Sequence, residues 1–119
     1  MKGRTRTVAE KRFHDALASL GCIACLHAGR RNPMVSLHHI DGRTKPWAHY
    51  LVLPLCKSHH QADETGCIAV HPWKTQFEQM FGKQRDLLRE CLDMLEDRGI
   101  QVLEQAWRAA NGEWERMVA

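Results

Sequence analysis

Two short stretches, Gly21-Cys22-Ile23-Ala24-Cys25 and Pro54-Leu55-Cys56-Lys57-Ser58-His59, each place two metal-binding side chains three positions apart. Two thiolates from a tight turn, together with a thiolate and an imidazole from a helix start, are the usual ligands of a closed structural zinc site. The two stretches therefore predict a structural Zn²⁺ ion held by Cys22, Cys25, Cys56 and His59. Two alternatives stay open, since His60 can take the place of His59 and Cys67 can replace one of the four ligands.

Between the two pairs, the stretch Val35-Ser36-Leu37-His38-His39-Ile40-Asp41-Gly42 ends a predicted strand with adjacent histidines. Neighbouring residues on a strand point to opposite sides, and this alternation relaxes at a strand end. Two such histidines can divide two tasks, because one can bind a catalytic metal while the other takes a proton from water. Both tasks need neutral imidazole, which an ordinary pKa of about 6.5 provides at cell pH. His60, one position beyond the zinc pair, faces another direction and can reach the same metal.

The composition fits a single metal-binding domain in a reducing compartment. The 119 residues include five cysteines and eight histidines, and no stretch approaches the roughly 20 apolar residues that cross a bilayer. The basic residues 1–6 lead into Glu10-Lys11-Arg12 and not into the apolar core of a secretion signal. We therefore expect a soluble cytoplasmic protein whose cysteines bind metal rather than form disulfides.

Charge is distributed unevenly along the chain. Residues 1–50 hold nine lysines and arginines against three acidic residues, whereas residues 51–119 hold eight basic and eleven acidic residues. A front half of about +6 beside a back half of about −3 indicates that a polyanion contacts the front half. The candidate phosphate-binding residues are Arg4, Arg6, Lys11, Arg12, Arg30, Arg31, Arg43 and Lys45.

The histidine pair lies within a predicted strand, loop, strand and helix. Two apolar runs, Met34-Val35-Ser36-Leu37 and Tyr50-Leu51-Val52-Leu53, predict strands on either side of the polar loop 41–46. Pro54 is expected to end the second strand, because proline has no N–H to donate. Residues 57–64 contain no helix breaker and predict the helix that follows.

Helices are predicted on both sides of this segment. An N-terminal helix is expected to end near Leu20, just before Gly21. Apolar residues at helical spacing from Phe77 to Leu95 predict one long amphipathic helix that stops at residues 97–99. A last helical pattern, with a break or cap at Asn111-Gly112, has its apolar positions at Leu103, Trp107, Ala110, Trp114 and Met117.

The order of these motifs resembles that of the HNH, or ββα-metal, nucleases over about residues 21–71. A narrower resemblance, to the phage recombination-enhancement (Ref) nucleases, covers most of residues 9–82. It rests on Ala9-Glu10-Lys11-Arg12-Phe13-His14, Leu20-Gly21-Cys22-Ile23-Ala24-Cys25, His38-His39-Ile40-Asp41-Gly42, and His71 followed by Phe77-Glu78 and Phe81-Gly82. The fold predicted is α+β: a small zinc-stabilised ββα-metal (HNH) core with an N-terminal helix and C-terminal amphipathic helices.

Within one HNH nuclease domain, 1–119, we expect a basic arm over residues 1–8 that is disordered when free. The zinc-bound core then spans residues 9–72, and a helical extension spans residues 73–119.

The resemblance also implies a role for each histidine of the site. His39 is implied as the general base, His38 and His60 as ligands of a catalytic divalent ion. A later histidine of the family contacts the metal or the scissile phosphate, and His71 is the nearest match, displaced by the insertion from Asp63 to Val70. Asp41 is a further candidate ligand of the ion, as is His71.

One departure from the HNH pattern concerns the middle asparagine, which normally steadies the base. It has no counterpart in Ala48-His49-Tyr50-Leu51. His49 or Tyr50 can substitute for it, and Asp41 competes for the same orienting role.

The function predicted is metal-dependent hydrolysis of DNA by an HNH endonuclease with Mg²⁺ or Mn²⁺, although an imidazole-rich site also suits Ni²⁺ and Zn²⁺. The resemblance implies action with a RecA-type recombinase filament in phage recombination, from a phage or prophage gene expressed in a bacterial host. One rival is a catalytically silent zinc module that binds DNA. Another is an interaction module that binds a recombination partner through a surface around Trp107 and Trp114. The oligomeric state is not indicated by the sequence.

Overall fold

The computed structural model describes residues 3–113 and confirms the predicted α+β fold, with a two-stranded sheet and helices before and after it. In chain order the elements are α1 (Val8–Ser19), α2 (Ile23–His27), β1 (Val35–His39), β2 (Val52–Cys56), α3 (Lys57–His60), α4 (Lys74–Phe81), α5 (Gln84–Asp97) and α6 (Glu104–Ala110).

Helix α1 is fixed at both ends by local chemistry. The Thr7 hydroxyl accepts from the Glu10 N–H, and the Glu10 carboxylate accepts from the Thr7 N–H, so the two residues form a capping box. At the other end Leu20 is the C-cap, and Gly21 follows with a φ of +80° that favours glycine. The predicted end near Leu20 is confirmed.

The strands form an antiparallel pair in which Val35 lies opposite Cys56 and His39 opposite Val52. The prediction that the second strand ends at Pro54 is wrong, because β2 continues through Pro54 to Cys56. The Ile40 N–H donates to the Leu51 carbonyl. Hydrogen-bonded and non-hydrogen-bonded pairs alternate along an antiparallel ladder, so the Leu37–Pro54 pair, three pairs further on, is not hydrogen-bonded. The backbone nitrogen of Pro54 therefore faces away from β1. Pro54 lies on an edge strand, so no ladder bond is lost.

The helix predicted over residues 57–64 is only one turn long, because α3 ends at His60. Gln61 is extended, and the chain loops out and returns alongside α3 as far as His71. Three backbone bonds hold the return: Val70 N–H to the His59 carbonyl, His71 N–H to the His60 carbonyl, and Ala62 N–H to the His71 carbonyl.

The long C-terminal helix predicted from Phe77 to Leu95 is two helices. Gly82 has a φ of +114°, a value foreign to an α-helix, and separates α4 from α5. The cap predicted at Asn111-Gly112 is confirmed, since α6 ends there. Trp107 is half-buried against the core, whereas Trp114 and Met117 lie outside the described residues.

One buried apolar cluster extends from Phe13 in α1 to Ala110 at the end of α6. Helix α1 packs against both strands and α5, and α5 also packs on β2 and α6. The β1 strand is thereby held between α1 and the α3 segment, which positions the histidines at its end. Within residues 3–113, no helix combines the length and apolar character needed to cross a membrane.

Candidate active site and metal centre

Three clusters of metal-binding side chains are present among residues 3–113, and the first contains the four predicted zinc ligands. Its members, all buried, are Cys22, Cys25, Cys56 and His59. The Cys25 and Cys56 sulfurs are 3.8 Å apart, and His59 Nδ1 lies 3.2–3.6 Å from the three sulfurs. Tetrahedral Zn²⁺ with Zn–S near 2.3 Å and Zn–N near 2.0 Å requires edges of about 3.8 and 3.5 Å. These four residues can therefore hold a zinc ion, and His60 and Cys67 lie outside the cluster.

The local fold explains how the sulfurs converge. Cys22 and Cys56 are the N-cap residues of α2 and α3, so each precedes a helix that carries the other member of its pair. Burial raises the pKa of Cys22 to about 12, so metal must displace its proton on binding. Arg30, a predicted phosphate contact, lies beside this cluster instead, with a guanidinium nitrogen 4.0 Å from the Cys25 sulfur.

The second cluster joins His38, His60 and His71, whose donor atoms all lie within 4.8 Å of one another. The ring centre of His38 is 5.1 Å from that of His60 and 5.0 Å from that of His71. The returning chain places His71 here, because its backbone pairs with α3. Asp41 is not in this cluster; its carboxylate accepts from Lys45 at 2.7 Å and from the Trp47 indole at 3.5 Å.

Gln84, the first residue of α5, fixes the orientation of His38. The Gln84 amide nitrogen donates to the Glu78 carboxylate at 3.3 Å, which turns its carbonyl oxygen towards His38. Because a carbonyl oxygen only accepts, His38 Nε2 carries the proton and donates at 2.8 Å. The lone pair of neutral His38 is therefore on Nδ1, as a metal-binding imidazole requires.

The third cluster joins His39, His14 and His49. Because His38 and His39 alternate across β1, their rings enter different clusters. His39 Nε2 lies 3.0 Å from His49 Nδ1, so of the three candidate partners His49, Tyr50 and Asp41 it is His49 that hydrogen-bonds to His39. Tyr50 instead packs its ring 5.6 Å from that of Phe13.

The hydrogen bonds of this cluster define one tautomer for each neutral ring. His49 Nε2 donates to the Arg4 carbonyl at 2.6 Å, which leaves His49 Nδ1 as an acceptor. His39 Nε2 must then be the donor, and its lone pair is on Nδ1. That Nδ1 is buried and has no hydrogen-bond partner among the described residues. His14 donates from Nε2 to the His49 carbonyl at 2.7 Å.

Burial lowers the pKa of four histidines in these clusters, namely His14, His38, His39 and His60. Loss of solvent is the main cause that lowers the pKa of His38 to about 4, with His60 and His71 adding to it. Burial likewise lowers the pKa of His39 to about 4, and the Arg43 guanidinium contributes the next largest share. Near neutral pH these two rings therefore present lone pairs rather than positive charge.

Two open clefts meet at His39. One, of about 410 Å³, is lined by the His38 cluster together with His39, Arg43 and Lys74. The other, of about 590 Å³, is lined by His39, His14 and His49 and by four basic residues, Arg4, Arg6, Lys11 and Arg43. Four of the predicted phosphate contacts thus converge beside the histidines.

The other predicted phosphate contacts lie elsewhere. Arg12 lines an apolar groove with Phe13 and Leu95, and Lys45 pairs with Asp41. Arg31 is an exposed residue outside both clefts.

Two residues that the structure places in or against the clusters, His14 and Gln84, were not among the residues predicted from the sequence. His14 was visible as a histidine beside the buried face of α1, between Phe13 and Leu17. Gln84 carries no sequence signal of its own, since it is one polar position among the apolar residues at helical spacing from Phe77 to Leu95.

Residues 6–96 match the family described as "Recombination enhancement, RecA-dependent nuclease". The match includes all three clusters and Gln84, and it ends before α6. It covers well over half of the chain. The protein therefore belongs to the family of recombination-enhancement, RecA-dependent nucleases.

Proposed function

We propose that this protein is an HNH-type endonuclease that uses a divalent metal ion to hydrolyse phosphodiester bonds in DNA. One observation carries the proposal: adjacent strand residues deliver their imidazoles to two different clusters that border one cleft. His38 joins a three-imidazole group able to hold metal, while His39 joins the hydrogen-bonded relay formed by His14, His39 and His49. Among residues 3–113, His39 Nδ1 has no hydrogen-bond partner. Metal binding and proton abstraction are thus assigned to separate side chains.

In this mechanism, the chain's own residues position the phosphate and the attacking water. His39 Nδ1 accepts the proton of the water, and its Nε2–H stays bonded to His49 throughout. Arg43, on the wall shared by both clefts, binds the scissile phosphate or its neighbour. An ion bound by His38, His60 and His71 would supply Lewis-acid stabilisation to the phosphate and the leaving oxygen.

The donor set bears on which ion is used. All three members of the second cluster are imidazoles, which suit Mn²⁺, Ni²⁺ and Zn²⁺ better than Mg²⁺, a cation that prefers oxygen ligands. Of the two ions we propose, Mn²⁺ is the better match, and Mg²⁺ would bind with several of its waters retained. The first cluster would hold the structural Zn²⁺, which leaves no open coordination position.

The larger cleft, of about 590 Å³, is called the basic cleft because of its arginine and lysine residues. It is proposed as the path of the DNA strand beyond the cut. Arg4, Arg6, Lys11 and Arg43 line it and would neutralise phosphates, so binding should depend strongly on salt. The family description supports action on DNA bound by a RecA-type filament. In that setting the protein would be phage- or prophage-encoded and act in the bacterial cytoplasm.

The test is a cleavage assay on plasmid, single-stranded DNA and recombinase-coated DNA, with Mn²⁺ or Mg²⁺. The full chain should cut at least one of these substrates, EDTA should stop cutting, and His39→Ala should abolish it. His27→Ala is the matched control, because His27 pairs with Glu90 at 2.7 Å on the surface outside the clefts.

Metal analysis separates this proposal from the silent zinc module. One tightly held zinc per chain, with a second site that exchanges its ion, supports the nuclease. Two tightly held zinc ions and retention of DNA without cleavage on any substrate would overturn it.

A further inference from the structure

Residues 3–6, the N-terminal strap, run across the loop that follows β1 and reach the relay behind His39. The Arg4 N–H donates to the Arg43 carbonyl at 2.9 Å, and the Arg4 side chain donates from Nε to the Thr44 carbonyl at 2.8 Å. The Arg4 carbonyl in turn accepts from His49 Nε2 at 2.6 Å. The strap therefore bridges the loop and the ring that supports His39.

This carbonyl decides where the protons of two imidazoles lie. A neutral imidazole has one N–H, and the partner of one nitrogen sets the state of the other. With the Arg4 carbonyl at Nε2, His49 presents a lone pair to His39, which donates and keeps its own lone pair on Nδ1. Were His49 to carry its proton on Nδ1, His39 Nε2 would have to accept. The proton of His39 would then lie on Nδ1, the atom that the mechanism needs free.

We propose that the N-terminal strap is a positioning element for the general base, in which the Arg4 carbonyl sets the tautomer of His39 through His49. The inference rests on the proposed function in treating His39 as the base. It gives the backbone carbonyl of Arg4 a role in positioning the base. This role is separate from the DNA binding expected of the Arg4 side chain.

A second contact fixes the strap to the same relay from the other side. Arg6 donates from its guanidinium to His14 Nδ1 at 3.1 Å, and His14 donates from Nε2 to the His49 carbonyl. The strap thus touches both rings that surround His39. Because the Arg4 and Arg6 side chains also line the basic cleft, a phosphate bound there would hold the strap against the relay.

Gly3 offers a way to displace the strap without changing its charge. A β-carbon at Gly3 would clash with the Arg43 β-carbon and lie 3.0 Å from the Arg43 carbonyl oxygen, while the Gly3 φ is not in the left-handed region. Gly3→Val should therefore lift the strap from the loop. Deletion of residues 2–5 removes the same contacts without adding bulk and keeps the Thr7 cap of α1.

The experiment reads tautomers directly in the zinc-loaded full-length chain. Long-range ¹H–¹⁵N correlation spectra distinguish Nε2–H from Nδ1–H for each imidazole, whether or not the protein cuts DNA. Wild type should show Nε2–H for His49 and His39, whereas both variants should show mixed tautomers at these two rings. Cleavage at saturating DNA should fall by about tenfold or more, because a positioned general base contributes about 10²- to 10⁴-fold.

Lys11→Gln is the charge control, because Lys11 lines the basic cleft but is not a partner in the hydrogen bonds described for His14, His39 and His49. It should raise the DNA concentration needed for half-maximal cutting and leave both tautomers as in wild type. Unchanged tautomers in both strap variants would overturn the proposal, and so would mixed tautomers with an undiminished maximal rate. Should wild type cut no DNA, the proposed function fails, and the spectra still decide whether the strap sets the tautomers.

Discussion

The Nε2 atom of His38 lies 2.8 Å from the carboxamide oxygen of Gln84, 46 positions along the chain. Both side chains are buried, and the Glu78 carboxylate holds the Gln84 amide in the orientation that makes its oxygen face His38. The bond places the His38 lone pair on Nδ1 before any ion binds. A ligand oriented in advance binds metal more tightly, because less conformational freedom is lost on binding.

Replacing Gln84 by alanine should weaken metal binding at the proposed site of His38, His60 and His71 about 10- to 100-fold, the usual cost of removing a partner of a metal-binding histidine. The measurement is Mn²⁺ affinity by titration calorimetry on the zinc-loaded protein. Gln79→Ala, at an exposed position of α4, is the control. Equal Mn²⁺ affinity in wild type and Gln84→Ala would remove Gln84 from the site.

Two substitutions of His49 should distinguish the effect of removing the hydrogen-bond acceptor of His39 from the effect of removing the imidazole ring of His49. His49→Ala leaves His39 Nε2 without its acceptor and should lower the maximal cleavage rate by about tenfold or more. His49→Asn restores an acceptor oxygen and should recover part of that loss. Cleavage rates at saturating DNA, with His27→Ala as reference, decide the matter; full activity in His49→Ala would contradict the assigned role.

Zinc removal should unfold the segment that carries the two histidine clusters. Cys56→Ser breaks the four-ligand set, and the metal-binding free energy that contributes to folding is then lost. Zinc content by atomic absorption and thermal unfolding by circular dichroism should show less than one zinc per chain and a lower Tm. Cys67→Ser should retain one zinc, since Cys67 is outside the cluster. Loss of zinc in Cys67→Ser instead would require a different ligand set.

Substitution of His71 should change the preference among metal ions. His71 is exposed and reaches the cluster by the returning chain, so an oxygen ligand fits there with little repacking. His71→Asp should lower the Mg²⁺ concentration needed for half-maximal cleavage relative to Mn²⁺. Asp41→Asn should leave the ratio as it is, because Asp41 pairs with Lys45. An unaltered Mg²⁺/Mn²⁺ ratio in His71→Asp would place His71 outside the metal site.

Stability should fall as the pH is lowered from about 6.5 towards 4. In the unfolded chain the histidines take up protons at about pH 6.5, whereas burial holds the pKa of His38 and of His39 at about 4 in the folded protein. The unfolded state binds more protons in this window, so each such group removes up to about 1.4 kcal/mol per pH unit.

Urea unfolding of the zinc-loaded protein from pH 7.5 to pH 5 measures this loss. His39→Gln should show a shallower decline, because one buried imidazole is gone. A free energy of unfolding that stays constant over this range would contradict the burial of neutral histidines.

The sequence by itself determined the local parts of the site. Residues three positions apart around a helix start must lie close together, so each half of the zinc cluster follows from spacing alone. Likewise, strand alternation sends His38 and His39 to opposite sides of β1. Helix α1 was also predictable, since its cap and its terminal glycine are chemical signals of nearest neighbours.

The tertiary structure decided which distant groups complete each cluster. Gln84 contacts His38 from the start of α5, just after the break at Gly82, and His71 lies beside His60 where the chain returns along α3. The Arg4 carbonyl lies next to His49 because residues 3–6 cross the loop that contains Arg43. These contacts depend on how helices and loops pack, and packing is set by the whole apolar core rather than by any local spacing.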